Sequence, residues 1–173
     1  MGLIGLGWGI GGVLTLLLFA VYRLSPMAME LTQQPLSSLH WLALVFSVGY
    51  MAYAEGYRGF HKSFAPRVIA RARYLERHVS LDKVFLAPLF CMGYIHATRK
   101  RKILSFSLTF MIVCFVVLVR MLPQPWRGIV DAGVVTGLAI GIASILYYLV
   151  QSFFRPELLT VSPDVPGVTT LDH

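Results

Sequence analysis

Charged side chains are scarce in this sequence. Asp, Glu, Lys and Arg together make up 13% of its 173 residues, whereas 57% are hydrophobic. A soluble domain has roughly a quarter of its residues charged, so this composition excludes an ordinary water-soluble protein. It predicts an integral membrane protein.

Cysteines and the residue patterns of common catalytic sites are also few or lacking. The two cysteines, Cys91 and Cys114, form no CxxC pair and stand among apolar residues, which argues against a disulfide framework or a thiol-redox site. The sequence contains no HExxH motif, no nucleophile elbow and no zinc-ligand spacing. We therefore expect no cofactor and no metal, and an enzyme is the less favoured class.

What the sequence has instead is four uncharged runs long enough to cross a bilayer. A helix needs about 20 residues to span roughly 30 Å of hydrocarbon. The runs predict crossings at about 3–22, 37–56, 103–121 and 130–153. The expected fold is an all-α polytopic membrane protein with four transmembrane helices in one domain, 1–155. Residues 156–173, which contain prolines and show no periodicity, predict a flexible cytoplasmic tail.

Positive charge is concentrated between the second and third predicted crossings. Eleven of the fifteen Lys and Arg residues lie between Arg58 and Lys102, together with only two acids. Because basic loops stay on the cytoplasmic side, this region is expected to lie inside the cell. Both termini are then cytoplasmic, and the small size and topology favour a bacterial inner membrane.

Two further segments fall within this basic region. Residues 65–79, opened by Pro66, project as an amphipathic helix whose apolar arc is flanked by arginines, and we expect this helix to lie in the lipid headgroup plane. Residues 84–97 are too short to cross and are interrupted by Pro88, so they are expected to be re-entrant or to lie on the surface.

The partner expected for the basic region is anionic lipid or an acidic protein. Arginine near a membrane surface attracts anionic headgroups by about 1 kcal/mol each. The alternative, that the arginines only set the topology, stays open, and the apolar arc argues against nucleic acid. The expected headgroup-binding residues are Arg67, Arg71, Arg73, Arg77, Arg99, Lys100, Arg101 and Lys102.

Glycines recur at helical spacing in the first and last crossings. Small residues let helices approach closely in lipid, where no hydrophobic drive acts between them. The expected packing residues are Gly5, Gly9, Gly12, Gly133, Gly137 and Gly141. Gly7 and Gly11 fall on the opposite face of the first crossing. If the first crossing packs on a single helix of the same chain, one of its two glycine faces has no partner. Self-association or a membrane partner is therefore an alternative to packing within the chain.

Glu55 closes the second uncharged run. Its spacing from Arg58 predicts an ion pair on one helix face, with Glu55 near the cytoplasmic interface. The alternative is an ion or proton site formed by Glu55 with Tyr50, Tyr53 and Tyr57.

These patterns together favour an accessory or scaffold protein of the membrane. It would pack with itself or with a membrane partner through its glycine faces and engage anionic lipid or an acidic partner through its arginines. The alternative function is a small transporter or channel component that uses Glu55 and the neighbouring tyrosines.

Overall fold

The computed structural model describes residues 2–77 and 84–154, and every regular element in these ranges is helical. The predicted tail, and residues 78 and 79 of the predicted interfacial helix, lie outside the described residues. The elements are α1 (Gly2–Met29), a 3₁₀ turn (Glu30–Gln33), α2 (Ser38–Met51), a π-helical segment (Ala52–Phe64), α3 (Ala65–Arg77), α4 (Ala87–Cys91), α5 (Arg99–Arg120) and α6 (Trp126–Phe154).

Three helices are long and apolar enough to cross a membrane. They are α1 with its 3₁₀ turn, α5 and α6, which correspond to the first, third and fourth uncharged runs. The all-helical architecture predicted from the sequence is therefore confirmed, as are these three candidate crossings. The second run behaves differently, because α2 has only 14 residues and then passes into the π-helical segment. A fourth crossing stays a prediction.

The segment Ala52–Phe64, called here the π segment, joins α2 to α3 without interruption. Ala52 and Ala65, at its two ends, both have right-handed helical backbone angles. Two local features of the sequence favour the wider winding. Gly56 and Gly59 accept unusual backbone geometry at low cost, and Pro66 has no N–H to donate into the preceding turn. The result is one long helix from Ser38 to Arg77.

This long helix and α6 run in the same direction, and α1 runs opposite to both. The Ser47 hydroxyl donates to the Ile129 carbonyl (3.1 Å), and further along the Arg73 guanidinium donates to the Ser152 carbonyl (2.8 Å), so residue numbers rise together. Gly2, in contrast, lies beside Glu76. The bundle therefore has one end that holds the loop between α1 and α2 and the loop between α5 and α6, and another that holds the start of α1 and the end of α6. The topology predicted from the basic region makes these two loops external.

The apolar arc of α3 is buried in protein rather than in lipid. Residues of the arc that lie in the core are Ala65, Val68, Ile69, Ala72 and Leu75, which are each no more than 1% exposed. They pack with residues of α1, α4 and α6. The arc has the composition that the sequence predicts, but within residues 65–77 it faces neighbouring helices and not lipid. A position in the headgroup plane stays a prediction. An apolar arc can be covered either by lipid or by neighbouring helices, and here three helices cover it.

Arg71 fixes the chain that follows α4. It is 1% exposed, and its guanidinium donates to the carbonyls of Phe90 (2.5 Å), Ile95 (2.8 Å) and His96 (3.2 Å). The guanidinium also stacks on the Phe90 ring, 4.3 Å from its centroid. Gly93, with a φ of 86°, allows the reversal of direction in this stretch. The predicted short apolar segment thus contains a helix held against α1 and α3.

Helix α5 stands apart from the rest of the bundle. Of its 22 residues only Ser105 and Val119 are buried, and residues 110–118 are all exposed. Its contacts lie near its ends, where the Ser105 hydroxyl donates to the Met92 carbonyl (3.2 Å) and Thr109 bonds to Tyr94. A turn with a cis Gln124–Pro125 bond then leads into α6.

Candidate functional site

Several polar groups of the bundle interior lie where the long helix contacts one face of α6, a surface we call the seam. Ser47 lies against Gly133, Glu55 against Gly137, Phe60 against Gly141 and His61 against Ser144. The approach is close: a Cβ on Gly137 would lie 3.0 Å from Glu55 Oε2, and a Cβ on Gly141 would lie 2.7 Å from the Phe60 ring. Glycines on α6 thus admit side chains from the π segment.

Glu55 lies against an uncharged stretch of α6. Its neighbour Gly137 is six residues inside Asp131 on α6, or about 9 Å of helix rise, and α6 carries no further charge up to Phe154. Glu55 ends an uncharged run of the sequence, but the helix itself continues past this charge along α6. Its location near the cytoplasmic interface stays a prediction.

The predicted Glu55–Arg58 ion pair does not form. Within residues 2–77 and 84–154, the ion pairs are Arg73–Glu76 (2.9 Å) and Arg127–Asp131 (3.7 Å). The winding explains the difference. In an i→i+5 helix, side chains on one face are four and five residues apart, so residues three apart point in different directions. Glu55 is partly buried and has α6 backbone beside it instead of a counter-charge.

The same winding rearranges the predicted tyrosine face. Tyr53 stacks on Tyr57 (ring centroids 6.1 Å apart) and Tyr57 stacks on His61 (5.7 Å), so the stack has a spacing of four. Tyr50 belongs to a different pair, with Phe46 at 6.0 Å. Tyr53 and Tyr57 are exposed on the outside of the bundle. They therefore do not face Glu55 across the seam, although His61 links their stack to it.

His61 is the second protonatable group of the seam, and its role was not predicted from the sequence. Its Nδ1 lies 3.2 Å from Ser144 Oγ, and the Ser144 hydroxyl donates to the Ile140 carbonyl (2.7 Å). Because that hydroxyl proton is already donated, the oxygen accepts from His61 Nδ1–H, which leaves Nε2 as the proton-accepting nitrogen. The rings of Tyr147 and Tyr148 lie 5.9 and 5.2 Å from the imidazole.

Phe60 lies between the two protonatable groups. Along α6 it occupies Gly141, which stands between Gly137, the neighbour of Glu55, and Ser144, the neighbour of His61. The seam thus alternates a carboxylate, an aromatic ring and an imidazole. One pattern in the sequence could have revealed the seam. Successive seam residues are four, four and five positions apart, and these residues share one helix face only if π winding is assumed; they are Ser47, Met51, Glu55 and Phe60.

The arginines expected to bind lipid occupy different environments. Arg71 is buried, so it cannot reach a headgroup. Arg73 contacts Glu76, Ser152 and the Phe153 ring, and Arg67 donates to the Ser63 hydroxyl (2.9 Å). The side chain of Arg77 lies outside the described part of the chain. At the start of α5, Arg99, Lys100 and Lys102 are exposed, and the partly buried Arg101 lies against Gly93.

The predicted packing glycines all lie at contacts within the chain. Gly5 faces Leu75 and Val84, and a Cβ on Gly9 would come 2.7 Å from Cys91 Sγ. Gly12 lies against Pro88, and Gly133, Gly137 and Gly141 face the long helix. In contrast, a Cβ on Gly7 or Gly11 would meet no atom within 4 Å.

The site contains no recognisable metal centre. In the described ranges, no group of three or more His, Cys, Asp or Glu side chains is placed so that it could hold a metal ion.

The fold and site define a class, an all-helical protein with three candidate membrane-spanning helices and a polar seam in its interior. No family model, no curated protein and no solved structure shows significant similarity to this chain.

Proposed function

We propose that this protein is a small accessory or scaffold subunit of a membrane, which packs with a second copy of itself or with another helical membrane protein. Its basic region, in this proposal, faces the anionic headgroups of the cytoplasmic leaflet or an acidic partner. A bacterial inner membrane with both termini in the cytoplasm is the location consistent with the charge distribution.

The isolation of α5 is the observation that carries the proposal. Residues 110–118 form about two and a half turns whose side chains are exposed in every direction. Helices in lipid gain stability mainly by packing on other helices. A 22-residue helix whose middle is apolar and has so little contact of its own is therefore available to an additional helix.

The free face of α1 offers a second contact surface. The inward-facing glycines of α1 already contact α3 and the region of α4, whereas Gly7 and Gly11 have open space beside them. Trp8, 57% exposed, flanks this face. Its small residues would let a partner helix approach closely.

The proposal also assigns the lipid contacts more narrowly than the sequence does. Arg71 is excluded because its guanidinium is fully used inside the protein. The exposed Arg99, Lys100 and Lys102 remain, and each is expected to attract an anionic headgroup by about 1 kcal/mol.

Native mass measurement after gentle detergent extraction tests the packing proposal. The expected result is a homo-oligomer or a defined complex with another membrane protein. Two double substitutions on opposite faces of α5, V113W/V117W and M111W/F115W, then locate the interface. Tryptophan is accepted by lipid but not by a close helix contact, so one pair should dissociate the complex while the other leaves it intact.

A monomeric mass for the full chain, both in detergent and in lipid nanodiscs, contradicts the proposal. So does a complex that survives both double substitutions and also G7L/G11L on the free face of α1. Each variant is first checked for unchanged helix content, so that loss of the complex is separated from loss of the fold.

A further inference from the structure

We propose that the seam is a proton path, in which Glu55 and His61 bind the proton in turn and Phe60 separates them. This activity is independent of the packing function, because the groups involved lie between the π segment and α6 and not on the exposed faces of α1 or α5.

The first step of the argument is the position of Glu55. An acidic side chain beside the interior of an apolar helix is costly unless it has a function or a partner. Glu55 lies against the backbone of Gly137 and takes part in neither of the ion pairs found among the described residues. A carboxylate without a counter-charge is accommodated most cheaply as the neutral acid. Glu55 therefore has the chemistry of a reversible proton site.

A metal cation is a poorer ligand for this position. Hard cations require about six oxygen ligands, whereas the seam supplies one carboxylate flanked by a glycine and, on one side, an aromatic ring. A proton needs only the carboxylate itself. The class of ligand that the site can bind is accordingly the proton.

The second step is the position of His61. Gly137 and Ser144 are seven residues apart on α6, so the two protonatable groups are offset by about 10 Å along the seam. The Nδ1–H of His61 is held by Ser144, and Nε2 is left to accept a proton. An imidazole is suited to this role because one ring nitrogen can accept a proton while the other stays hydrogen-bonded.

In the described part of the chain, the other titratable groups near the seam lie at its two ends or on the outside of the bundle. On α6, Gly137 and Gly141 face the seam and carry no side chain, and the nearest titratable residues are Asp131 on one side and Tyr147 and Tyr148 on the other. From the long helix, Arg58 and Lys62 are exposed, and the Lys62 ammonium lies 4.8 Å from the Tyr57 ring centroid. Tyr50 stacks on Phe46.

The third step is the barrier. The Phe60 ring lies against Gly141 and also contacts Phe64 edge-on, with ring centroids 5.5 Å apart. An apolar ring between two proton sites interrupts any continuous chain of water. Transfer from Glu55 to His61 Nε2 then requires this ring to move, after which the carboxylate is left ionised and the imidazole is cationic.

Proton flux into vesicles tests the proposal. The full chain is reconstituted into phosphatidylcholine–phosphatidylglycerol vesicles that contain a pH-sensitive dye, and a potassium diffusion potential drives protons inward. Acidification should exceed that of protein-free vesicles. E55Q and H61F should reduce it to the protein-free rate, and F60A should increase it. E30Q is the matched control, since Glu30 accepts from Gln124 at the end of the bundle, outside the seam.

A second measurement needs no substitution. A hydrophobic carbodiimide reacts with protonated carboxyl groups in apolar surroundings, and mass spectrometry locates the adduct. The adduct is expected on Glu55 and should decrease as the pH rises. Wild-type flux no greater than that of protein-free vesicles, flux unchanged in E55Q and H61F, or no adduct on Glu55 at any pH would each overturn the proposal. None of these results depends on whether the protein forms a complex.

Discussion

Single glycines determine how closely α6 approaches the long helix. At Gly133, a Cβ would lie 2.5 Å from the Ser47 hydroxyl oxygen and 3.0 Å from the Ser47 carbonyl oxygen. The carbonyl belongs to the backbone and cannot turn away, so the helices would have to separate. A Cβ added at Gly7 would instead lie in open space. Replacing each glycine by alanine therefore separates the effect of close packing, present only at Gly133, from the higher helix propensity of alanine, present at both positions.

We expect Gly133→Ala to destabilise the fold by about 1–3 kcal/mol, the usual cost of overpacking a close contact. Gly7→Ala should leave stability unchanged or raise it by roughly 0.5–1 kcal/mol, because alanine restricts the unfolded chain more than glycine does. Reversible unfolding in mixed micelles with increasing denaturing detergent measures both. Equal effects at the two positions would mean that the seam is looser than described.

At the scale of elements, the position of α4 depends on one side chain of α3. Arg71 joins the carbonyls of Phe90, Ile95 and His96, so α4 and the turn after it are held to α3 by charge-assisted hydrogen bonds. Cys91, at the end of α4, is buried against Gly9, and this burial raises the pKa of its thiol to about 12 in spite of the nearby Arg71 charge. The thiol is therefore unreactive while α4 stays in place.

Arg71→Met is expected to destabilise this region by about 2–4 kcal/mol, because it leaves buried carbonyl groups without donors. Modification of Cys91 by a maleimide at neutral pH, in a C114S background, reports the loosening, and the rate should increase. Arg67→Met is the control, since Arg67 donates to the Ser63 hydroxyl on its own helix and not to α4 within the described residues, and it should change the rate little. Equal rates in both variants would show that Arg71 does not hold α4.

The sequence predicts some of these helices better than others. The uncharged runs give α1, α5 and α6, because length and apolar composition are what a crossing requires. The π segment could not be predicted, since projection at 100° per residue assumes α winding, and this assumption produced both the Glu55–Arg58 pair and the tyrosine face. The neighbours of the α3 arc were also undetermined, because one sequence does not distinguish burial by lipid from burial by protein.

At the scale of the whole molecule, the two predicted external loops share one end of the bundle. The Gln124 side chain donates to Glu30 (2.8 Å), and the rings of His40 and Trp126 lie 5.1 Å apart at the same end. The start of α1 lies beside Glu76 at the other end, close to Ser152 and Arg73. The start of α1 and the end of α6 therefore lie at the same end of the bundle. Which end faces the cytoplasm stays a prediction.

Cysteine labelling tests the orientation in the membrane. In a C114S background, Thr32→Cys should be modified by a membrane-impermeant maleimide on intact cells, because it lies in the 3₁₀ turn of the predicted external end. Lys100→Cys should be modified only after the membrane is opened, because basic segments stay on the cytoplasmic side. The reverse pattern would invert the topology and remove the basis for the lipid contacts.

The parallel arrangement of the long helix and α6 also affects the order of assembly during synthesis. His61 and Ser144 are separated by 83 positions, and Arg73 and Ser152 by 79. At roughly 5–20 residues per second, the ribosome needs about 4–16 s to make the missing partner. Throughout that interval Glu55 and His61 lie on a nascent π segment that lacks the helix they will later contact.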